Sequence, residues 1–233
     1  MWLALETASP RLSVALGEPG RVLAERHADG PRQHGALLLP FVDALLEETG
    51  TSRRALRGVV LADGPGSFTG LRLGAAVAKA LVHAAGLELR VASTLLGRAW
   101  AARPPGAGDV VAVTSALRGE WFAARYALDE ARVHEVAPPA VLREDALRRL
   151  LAGAAVVTAD AAAPPLPDAP APPWRREPVQ AGALLGLLAV AGGTWQPAEP
   201  LAWEPDYGRP AEAQARWEAT HGRTLVDPDR ASR

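Results

Sequence analysis

The residue types best suited to chemistry are concentrated in one glycine-rich stretch, DGPGSFTGLRLG, at Asp63–Gly74. The stretch follows the apolar run Val59–Ala62 and leads into a helical pattern of small residues, Ala75–Ala85. Glycines with Ser and Thr between a strand and a helix are typical of a loop that directs backbone N–H groups at a phosphate. The same residues also suit a tight turn, in which Gly supplies positive φ and Ser or Thr caps the next helix.

Three standard motifs do not fit this stretch. A Walker loop requires a lysine after its last glycine, where Leu71 stands. The dinucleotide pattern GxGxxG fails because Thr69 takes the place of the third glycine, and the hydrolase elbow GxSxG fails because Pro65 precedes Gly66-Ser67. The residues alone therefore favour a turn over a phosphate loop. The candidates for a cofactor-binding role are Glu6, Gly64, Gly66 and Ser67.

Other polar and aromatic residues show no catalytic or metal-binding pattern. Glu6 and Glu120 could face a cleft, but neither has a sequence partner that would make an acid/base pair. The histidines lack metal-ligand spacing and are expected at the surface or hydrogen-bonded; they are His27, His34, His83, His134 and His221. Near the C-terminus, the residues expected in the core or in docking are Trp195, Trp203 and Trp217, and those that would support RNA stacking are Arg209, Arg216 and Arg223.

Composition narrows the class of protein. A chain of 233 residues that is 48% hydrophobic can bury a sizeable core in one large domain or two small ones. A net charge of −1 argues against a basic footprint for unaided nucleic-acid binding, and the absence of cysteine excludes disulfides, thiolate catalysis and cysteine-based zinc sites. Neither a basic leader nor an apolar run near the roughly 20 residues of a membrane span is present, so we expect a cytoplasmic protein with no membrane partner.

In the first half, the apolar runs and the turn residues that separate them predict the order β-β-β-α-β-α-β-α. The expected strands are Trp2–Thr7, Leu12–Leu16, Arg21–Arg26, Val59–Ala62 and Leu89–Ala92. The expected helices are Gln33–Thr49 with Gly50 as its cap, Gly70–Ala85 with Gly86 as its cap, and a helix from a Ser93 cap through Ala102. Pro40 should bend the first helix or set its start.

The second half predicts a partial copy of this pattern. The expected strands are Asp109–Thr114, Glu120–Leu128, Val133–Val136 and Ala155–Thr158, and the expected helices are Leu142–Leu151, Ala181–Ala191 and a short one near Ala211–Ala219. Ala161–Pro173 is expected to be a loop because it is rich in Pro and Ala. We expect two mixed sheets flanked by helices, in units of residues 1–104 and 105–200, with residues 201–233 as a tail that packs back on the body.

Two helices carry more apolar surface than one sheet can cover. In the second of them, small residues recur at four-residue steps from Gly70, which permits close approach of either the chain's own sheet or another helix. This surplus predicts an oligomeric interface. The residues expected in it are His34, Leu37, Leu38, Phe41, Val42, Leu45, Gly70, Leu71, Gly74, Ala75, Ala78 and Val82.

Several segments together resemble the TsaB (YeaZ) family. The most specific is GPGSFTGLR within Asp63–Gly74. The others are LETAS at Leu5–Ser9, His34 with Leu39-Pro40, Ser93-Thr94-Leu95, Arg118-Gly119-Glu120, and Pro205–Arg209. The resemblance covers most of the chain.

The resemblance implies an α/β chain with the actin/Hsp70-like ATPase (ASKHA) fold, built from two RNase H-like subdomains. It implies a non-catalytic dimerisation subunit that binds a catalytic TsaD (Kae1-like) transferase and is required for tRNA threonylcarbamoyladenosine formation beside the anticodon. It further implies a TsaE-like ATPase subunit in the complex, tRNA as the substrate of the complex, and ATP with a metal ion in the catalytic subunit. The catalytic relative's His-x-x-x-His motif is replaced here by Ser93–Gly97. No catalytic residue, cofactor or metal is therefore expected on this chain alone.

Alternatives remain open at this point. The glycine-rich loop and Glu6 also suit an independent ATPase or small-molecule kinase of the same superfamily. A metalloprotease is disfavoured by the missing histidine pair. The free protein could form a homodimer through the same two helices.

Overall fold

A computed structural model describes the following part of the chain: residues 1–30, 33–116, 118–160, 163, 166, 174–176, 178–190, 194–209 and 220–221. Apart from residues 163 and 166, the predicted loop Ala161–Pro173 lies outside it. So do the predicted helix near Ala211–Ala219 and the residues Trp217, Arg216 and Arg223.

The first half forms the predicted order of elements. Its strands are β1 Trp2–Glu6, β2 Leu12–Glu18, β3 Arg21–Ala28, β4 Gly58–Ala62 and β5 Glu88–Ala92, and its helices are α1 Gln33–Glu48, α2 Phe68–Ala85 and α3 Thr94–Ala101. Gly50 and Gly86 follow α1 and α2 at positive φ, which is the conformation expected of a glycine that ends a helix. Pro40 lies inside α1, so it does not set the start of that helix.

The second half contains the predicted strands and the helices that fall in the described residues, with shifted bounds, and two short strands that the sequence does not predict. It contains β6 Gly108–Ser115, β7 Trp121–Leu128, β8 Val133–Leu142, α4 Glu144–Leu151, β9 Val156–Ala159, β10 Trp174–Arg175, α5 Gly182–Leu188 and β11 Gln196–Pro197. The strand expected at Val133–Val136 continues to Leu142 because it pairs along β7, and α4 consequently begins at Glu144.

The strands form two mixed sheets with related topology. The first has the order β11-β5-β4-β1-β2-β3, and the second has the order β10-β9-β6-β7-β8. In each, three successive antiparallel strands are followed by a strand that lies parallel beside the first of them. The duplication suggested by the sequence is therefore present in the pairing.

Helices cover both sheets on both faces. Alternate side chains of β1 point to opposite faces: Trp2 and Ala4 join a core with α3, α5 and the second sheet, whereas Leu3 and Leu5 join a core with α1 and α2. A third core lies between the second sheet and α4. The layers are therefore α1 and α2, the first sheet, α3 and α5, the second sheet, and α4.

The chain returns to the first sheet after the second is complete. Helix α5 contacts β1, β2, β3 and β4, and β11 pairs with β5. Arg90 on β5 lies between the rings of Trp2 and Trp195, at 4.4 and 3.8 Å from their centroids. This pair of cation–π contacts fastens the returning segment to the first sheet. No helix in the described part of the chain has the length and apolar character needed to cross a membrane.

Candidate functional site

The glycine-rich loop is a tight connection between β4 and α2. Ser67 is the N-cap of α2, and its Oγ accepts a hydrogen bond from the Gly70 N–H at 3.2 Å. Gly64 has φ of 116°, a conformation that favours glycine. The structure thus confirms the turn with a serine cap that the residues favour.

Protein backbone occupies the space around the loop glycines. A Cβ added at Gly66 or Gly70 would overlap the backbone oxygen of Ala8 or Thr7, which follow β1. At Gly64 it would overlap the backbone oxygen of Asp206. The glycines therefore let the chain after β1 and the distant segment at Asp206 approach the loop closely. A phosphate-binding loop would leave this space to the phosphate.

Several of the other segments that resemble the family lie at or beside this loop. The Ser67 N–H donates to Ala8 O at 2.7 Å, which joins the loop to LETAS. Thr94 donates its N–H to Gly64 O at 2.8 Å, and its Oγ1 accepts from the Gly64 N–H at 3.1 Å. His34 Nε2 lies 3.1 Å from Ser9 O, so the start of α1 contacts the segment that follows β1.

Ser93 occupies the predicted N-cap position of α3 but does not cap it with its side chain. Its Oγ lies 3.4 Å from Gly64 O instead. The predicted cap residue is therefore right in position, but its hydroxyl donates toward the loop carbonyl and accepts no capping hydrogen bond from α3.

A segment near the C-terminus, Trp203–Arg209, crosses the loop, and we call it the C-terminal strap. Its Asp206 N–H donates to Asp63 O at 2.8 Å, and the Tyr207 ring lies 4.9 Å from that of Phe68. Glu204 pairs with Lys79 of α2 at 3.1 Å. The strap therefore holds both the loop and the helix that follows it.

The strap also reaches the second sheet through Glu120. Arg209 Nη2 lies 2.5 Å from Glu120 Oε2, and Arg143 Nε lies 3.3 Å from Glu120 Oε1. Hydrogen bonds from Arg143 and Arg209 and their positive charges hold the pKa of Glu120 below its usual value, against a smaller opposing effect of burial. Glu120 is thus engaged by two arginines and anchors the strap.

Glu6 is a buried loop anchor and does not face an open cleft. The side chain is fully buried, and its Oε1 accepts hydrogen bonds from the N–H groups of Ala8 and Ser9 at 2.7 and 3.0 Å. Burial raises the pKa of Glu6 to about 7, although these hydrogen bonds and the charge of Arg98 act in the opposite direction. The expectation that Glu6 faces a cleft is wrong, because the loop after β1 folds over the carboxylate.

A buried arginine of α3 lies between the two sheets. Arg98 of α3 is 2% exposed. Burial lowers its pKa, and the negative charges of Asp160 and Glu6 act in the opposite direction. Asp160 accepts from the Thr114 hydroxyl and from the Ala163 N–H. A cavity of about 10 Å³ beside Arg98 has room for about one water molecule. Within the described residues, no three His, Asp or Glu side chains are grouped so that they could hold a metal ion.

Most residues expected in a partner interface are buried inside the chain itself. Those that pack in its core are Leu38, Val42, Leu45, Gly70, Leu71, Gly74, Ala75, Ala78 and Val82. Their placement at a partner surface is wrong, since the small-residue face of α2 lies against the chain's own sheet. A Cβ at Gly74 would overlap the Thr7 hydroxyl and lie 3.1 Å from Leu61 Cδ1.

The apolar surface that remains is a different face of the same two helices. The other three residues expected in the interface, His34, Leu37 and Phe41, are half-buried on this face. The half-buried apolar side chains on adjoining flanks of α1 and α2 form what we call the apolar seam: Leu37, Phe41, Ala44, Leu73, Val77 and Leu81. The exposed residues beside it are Ala36, Pro40, Ala76 and Ala80. The four-residue spacing of Leu73, Val77 and Leu81 is a signal in the sequence that could have identified this flank.

Two sheets, each with three antiparallel strands, a following parallel strand and helical layers, define the actin/Hsp70-like ATPase (ASKHA) fold. Residues 26–167 match the family model of TsaD, tRNA N6-adenosine threonylcarbamoyltransferase, which is more than half of the chain. The chain belongs to this family, within its TsaB (YeaZ) group. The resemblance inferred from the sequence and the fold class are both confirmed.

Similar proteins agree with this placement. The tRNA threonylcarbamoyladenosine biosynthesis protein TsaB of Escherichia coli is 40% identical over 129 residues, which are 55% of this chain and 55% of that protein. The TsaB of Bacillus subtilis is 29% identical over 136 residues, 58% of this chain and 59% of that protein. The chain spans about half the length of the curated relatives it matches.

Solved structures extend the similarity over more of the chain. A Pseudomonas aeruginosa protein described as similar to peptidase YEAZ superposes with a TM-score of 0.73 at 28% identity, over 89% of this chain and 99% of that one. YeaZ from Pseudomonas aeruginosa superposes with a TM-score of 0.70 at 28% identity, over 80% of this chain and 89% of that one.

Proposed function

We propose that this chain is a non-catalytic scaffold subunit that binds a TsaD-like transferase and is required for threonylcarbamoyladenosine formation in tRNA. The names of its relatives supply the pathway. The observation that carries the scaffold role is the apolar seam between α1 and α2, which this chain leaves half-exposed.

The seam has the chemistry of a helix-packing surface. Its side chains are aliphatic or aromatic, and the exposed Ala36, Ala76 and Ala80 beside it would let two partner helices approach closely. Contiguous apolar surface that a chain does not cover itself is characteristic of protein–protein contact. The partner that we propose is the transferase, and a second copy of this chain would use the same surface when the transferase is absent.

The interior supports a scaffold over an enzyme. The glycine-rich loop and Glu6 are the two features that favour an independent ATPase or kinase, and both are engaged by the chain's own backbone. In our proposal this chain binds no cofactor of its own, and ATP and a metal ion are held by the transferase. A TsaE-like ATPase subunit and tRNA complete the assembly. Calorimetry with ATP and magnesium on the isolated chain separates the two functions, since turnover with micromolar affinity would favour the enzyme.

The interface is tested with arginine placed at exposed positions beside the seam. Ala76→Arg and Ala80→Arg should fold normally, because both alanines are exposed and arginine is a good helix former. A charge buried without a partner at an interface costs roughly 2–5 kcal/mol, so calorimetric affinity for the transferase should fall by about 30-fold or more. Threonylcarbamoyladenosine formation by the reconstituted complex should fall with it.

The matched control is Ala55→Arg, which adds the same side chain at an exposed position in the turn before β4. It should leave both affinity and activity unchanged. Unchanged affinity in the two seam variants would show that the transferase does not bind across α1 and α2.

A further inference from the structure

A second surface, at the N-terminal end of α2, differs in chemistry from the seam. Phe68 is 53% exposed, although it is a large aromatic residue, and its ring lies 4.9 Å from that of the half-buried Tyr207. The Arg72 guanidinium lies 5.1 Å from the Phe68 ring centroid. The loop and the strap thus present two adjoining aromatic rings and an arginine at the surface.

The strap that carries Tyr207 leads from this aromatic pair to arginines beside the second sheet. Arg209 follows Tyr207 by two residues and bonds to Glu120, and Arg143 bonds to the other oxygen of the same carboxylate. Arg118 lies in the exposed turn just before Glu120. We call these residues the arginine rim: Phe68, Arg72, Arg118, Arg143, Tyr207 and Arg209.

The rim carries four arginines, although the whole chain has a net charge of −1. The exposed or half-buried acids near it are Glu120, which is shared between two of the arginines, Asp206, whose Oδ1 accepts from the Gly208 N–H, and Asp63, which is close to Asp206. Hydrogen bonds from Arg143 and Arg209 hold the pKa of Glu120 below its usual value. The side chain of Arg143 is 88% exposed and is therefore available to an incoming anion.

We propose that the arginine rim is a contact surface for RNA, with unpaired nucleotides of a tRNA loop as its ligand. Proteins recognise single-stranded RNA by stacking bases on aromatic rings and arginine planes while basic side chains hold the phosphates. In this arrangement Phe68 and Tyr207 supply the stacking surface, and Arg72 and Arg143 contact phosphates. The proposal rests on the proposed role in tRNA modification, which supplies an RNA substrate, and it places part of the RNA contact on the scaffold subunit.

The test measures binding of an unmodified tRNA and of its isolated anticodon stem-loop to the complex of this chain with the transferase. Arg72→Glu combined with Arg143→Glu should lower affinity by about tenfold or more. The slope of log affinity against log salt should fall by about 0.7 for each phosphate that the variant no longer neutralises. Phe68→Ala should lower affinity by roughly fivefold to a hundredfold without changing that slope, because stacking is not ionic.

The matched control is Arg53→Glu combined with Arg54→Glu, which makes the same change of charge at two exposed sites in the turn before β4. It should leave RNA affinity and its salt dependence unchanged. Thermal unfolding of each variant measures any loss of stability, and RNA affinities are compared at a temperature at which every variant is folded.

The same variants are also titrated with the transferase in the absence of RNA. RNA affinities equal to those of the parent and the control would overturn the proposal. Weaker transferase binding by the rim variants would make the rim a protein contact and would overturn it as well. Failure of the seam variants to weaken transferase binding would instead count against the proposed scaffold interface, so the two failures are distinguishable.

Discussion

Glu6 shows how one side chain fixes the geometry of the loop at the scale of the residue. Its carboxylate oxygen Oε1 receives two backbone N–H groups, while Oε2 has no hydrogen-bond partner among the described residues and the side chain is fully buried. A buried carboxylate favours its protonated form, which is why its pKa rises from 4.5 to about 7.

This pKa shift gives a prediction with a definite sign. Between pH 4.5 and about 7 the folded protein holds a proton on Glu6 that the unfolded chain has released, so the free energy of unfolding should fall as pH rises through this window. The contribution of one proton approaches about 1.4 kcal/mol per pH unit. Glu6→Gln should remove this part of the slope, as measured by urea unfolding at several pH values.

The control for this prediction is the exposed Glu47→Gln, which should leave the slope between pH 4.5 and 7 in place. Asp63 has its pKa raised to about 7 by burial and by the charge of Asp206, so it contributes a slope of the same sign in both variants. Parallel curves for the parent and Glu6→Gln would contradict the shift.

At the scale of the element, the glycines of α2 determine how closely the helix lies on its sheet. Helix propensity alone predicts that Gly70→Ala stabilises α2, by up to about 1 kcal/mol. The structure predicts the opposite sign, because the new Cβ would overlap the backbone oxygen of Thr7, which cannot rotate away. We expect Gly70→Ala to lower the free energy of unfolding by about 1–3 kcal/mol in denaturant titration.

Gly35→Ala is the matched control for this change. Gly35 is in the first turn of α1, and a Cβ there would have no neighbour within 4 Å. Propensity should therefore act alone and raise the free energy of unfolding, by up to about 1 kcal/mol. Destabilisation of equal size in both variants would refute the close approach of α2 to Thr7.

The face of the helix on which a residue lies also decides which substitutions can test the interface. Leu38 is 1% exposed and Ala78 is fully buried, so arginine at either position would disrupt the core. A decrease of partner binding in such variants would report unfolding. Ala76 and Ala80 are exposed beside the seam and report the interface instead.

At the scale of the whole molecule, the C-terminal strap links the two sheets across the loop. Its bonds join Glu204 to Lys79, Asp206 to Asp63, and Arg209 to Glu120. Trp203 is buried in the core beneath α2, and Gly208 lies close to both Pro65 and Phe122. This short segment therefore adds contacts between the two halves of the chain to those of the apolar core that α3 and α5 share with both sheets.

Arg209→Ala should release this end of the strap. The Asp206 N–H, which donates to Asp63 O, should then exchange with solvent severalfold faster in a hydrogen-exchange experiment, because the segment opens more often. Arg148→Ala, which removes an ion pair with Glu144 within α4, should leave that exchange unchanged. Equal rates in the parent and Arg209→Ala would mean that Trp203 and Tyr207 hold the strap without this ion pair.

The sequence by itself determined the order of elements in the first half, a Ser or Thr cap before α2, the glycines that end α1 and α2, and the family. These features depend on residues a few positions apart, where hydrophobic periodicity and local hydrogen bonds act directly. The exclusion of the Walker, dinucleotide and hydrolase-elbow motifs was also local, since it required only the identities of Leu71, Thr69 and Pro65.

Only the tertiary structure decided which face of α2 turns inward, where Glu6 points and what covers the glycine-rich loop. The small-residue face of α2 suited the chain's own sheet and a foreign helix equally well, and contact with Thr7 and Leu61 resolves the choice. The pairs Lys79–Glu204 and Arg209–Glu120 are 125 and 89 residues apart in the chain. No local pattern encodes such pairs, because they form only when the packed layers bring distant segments together.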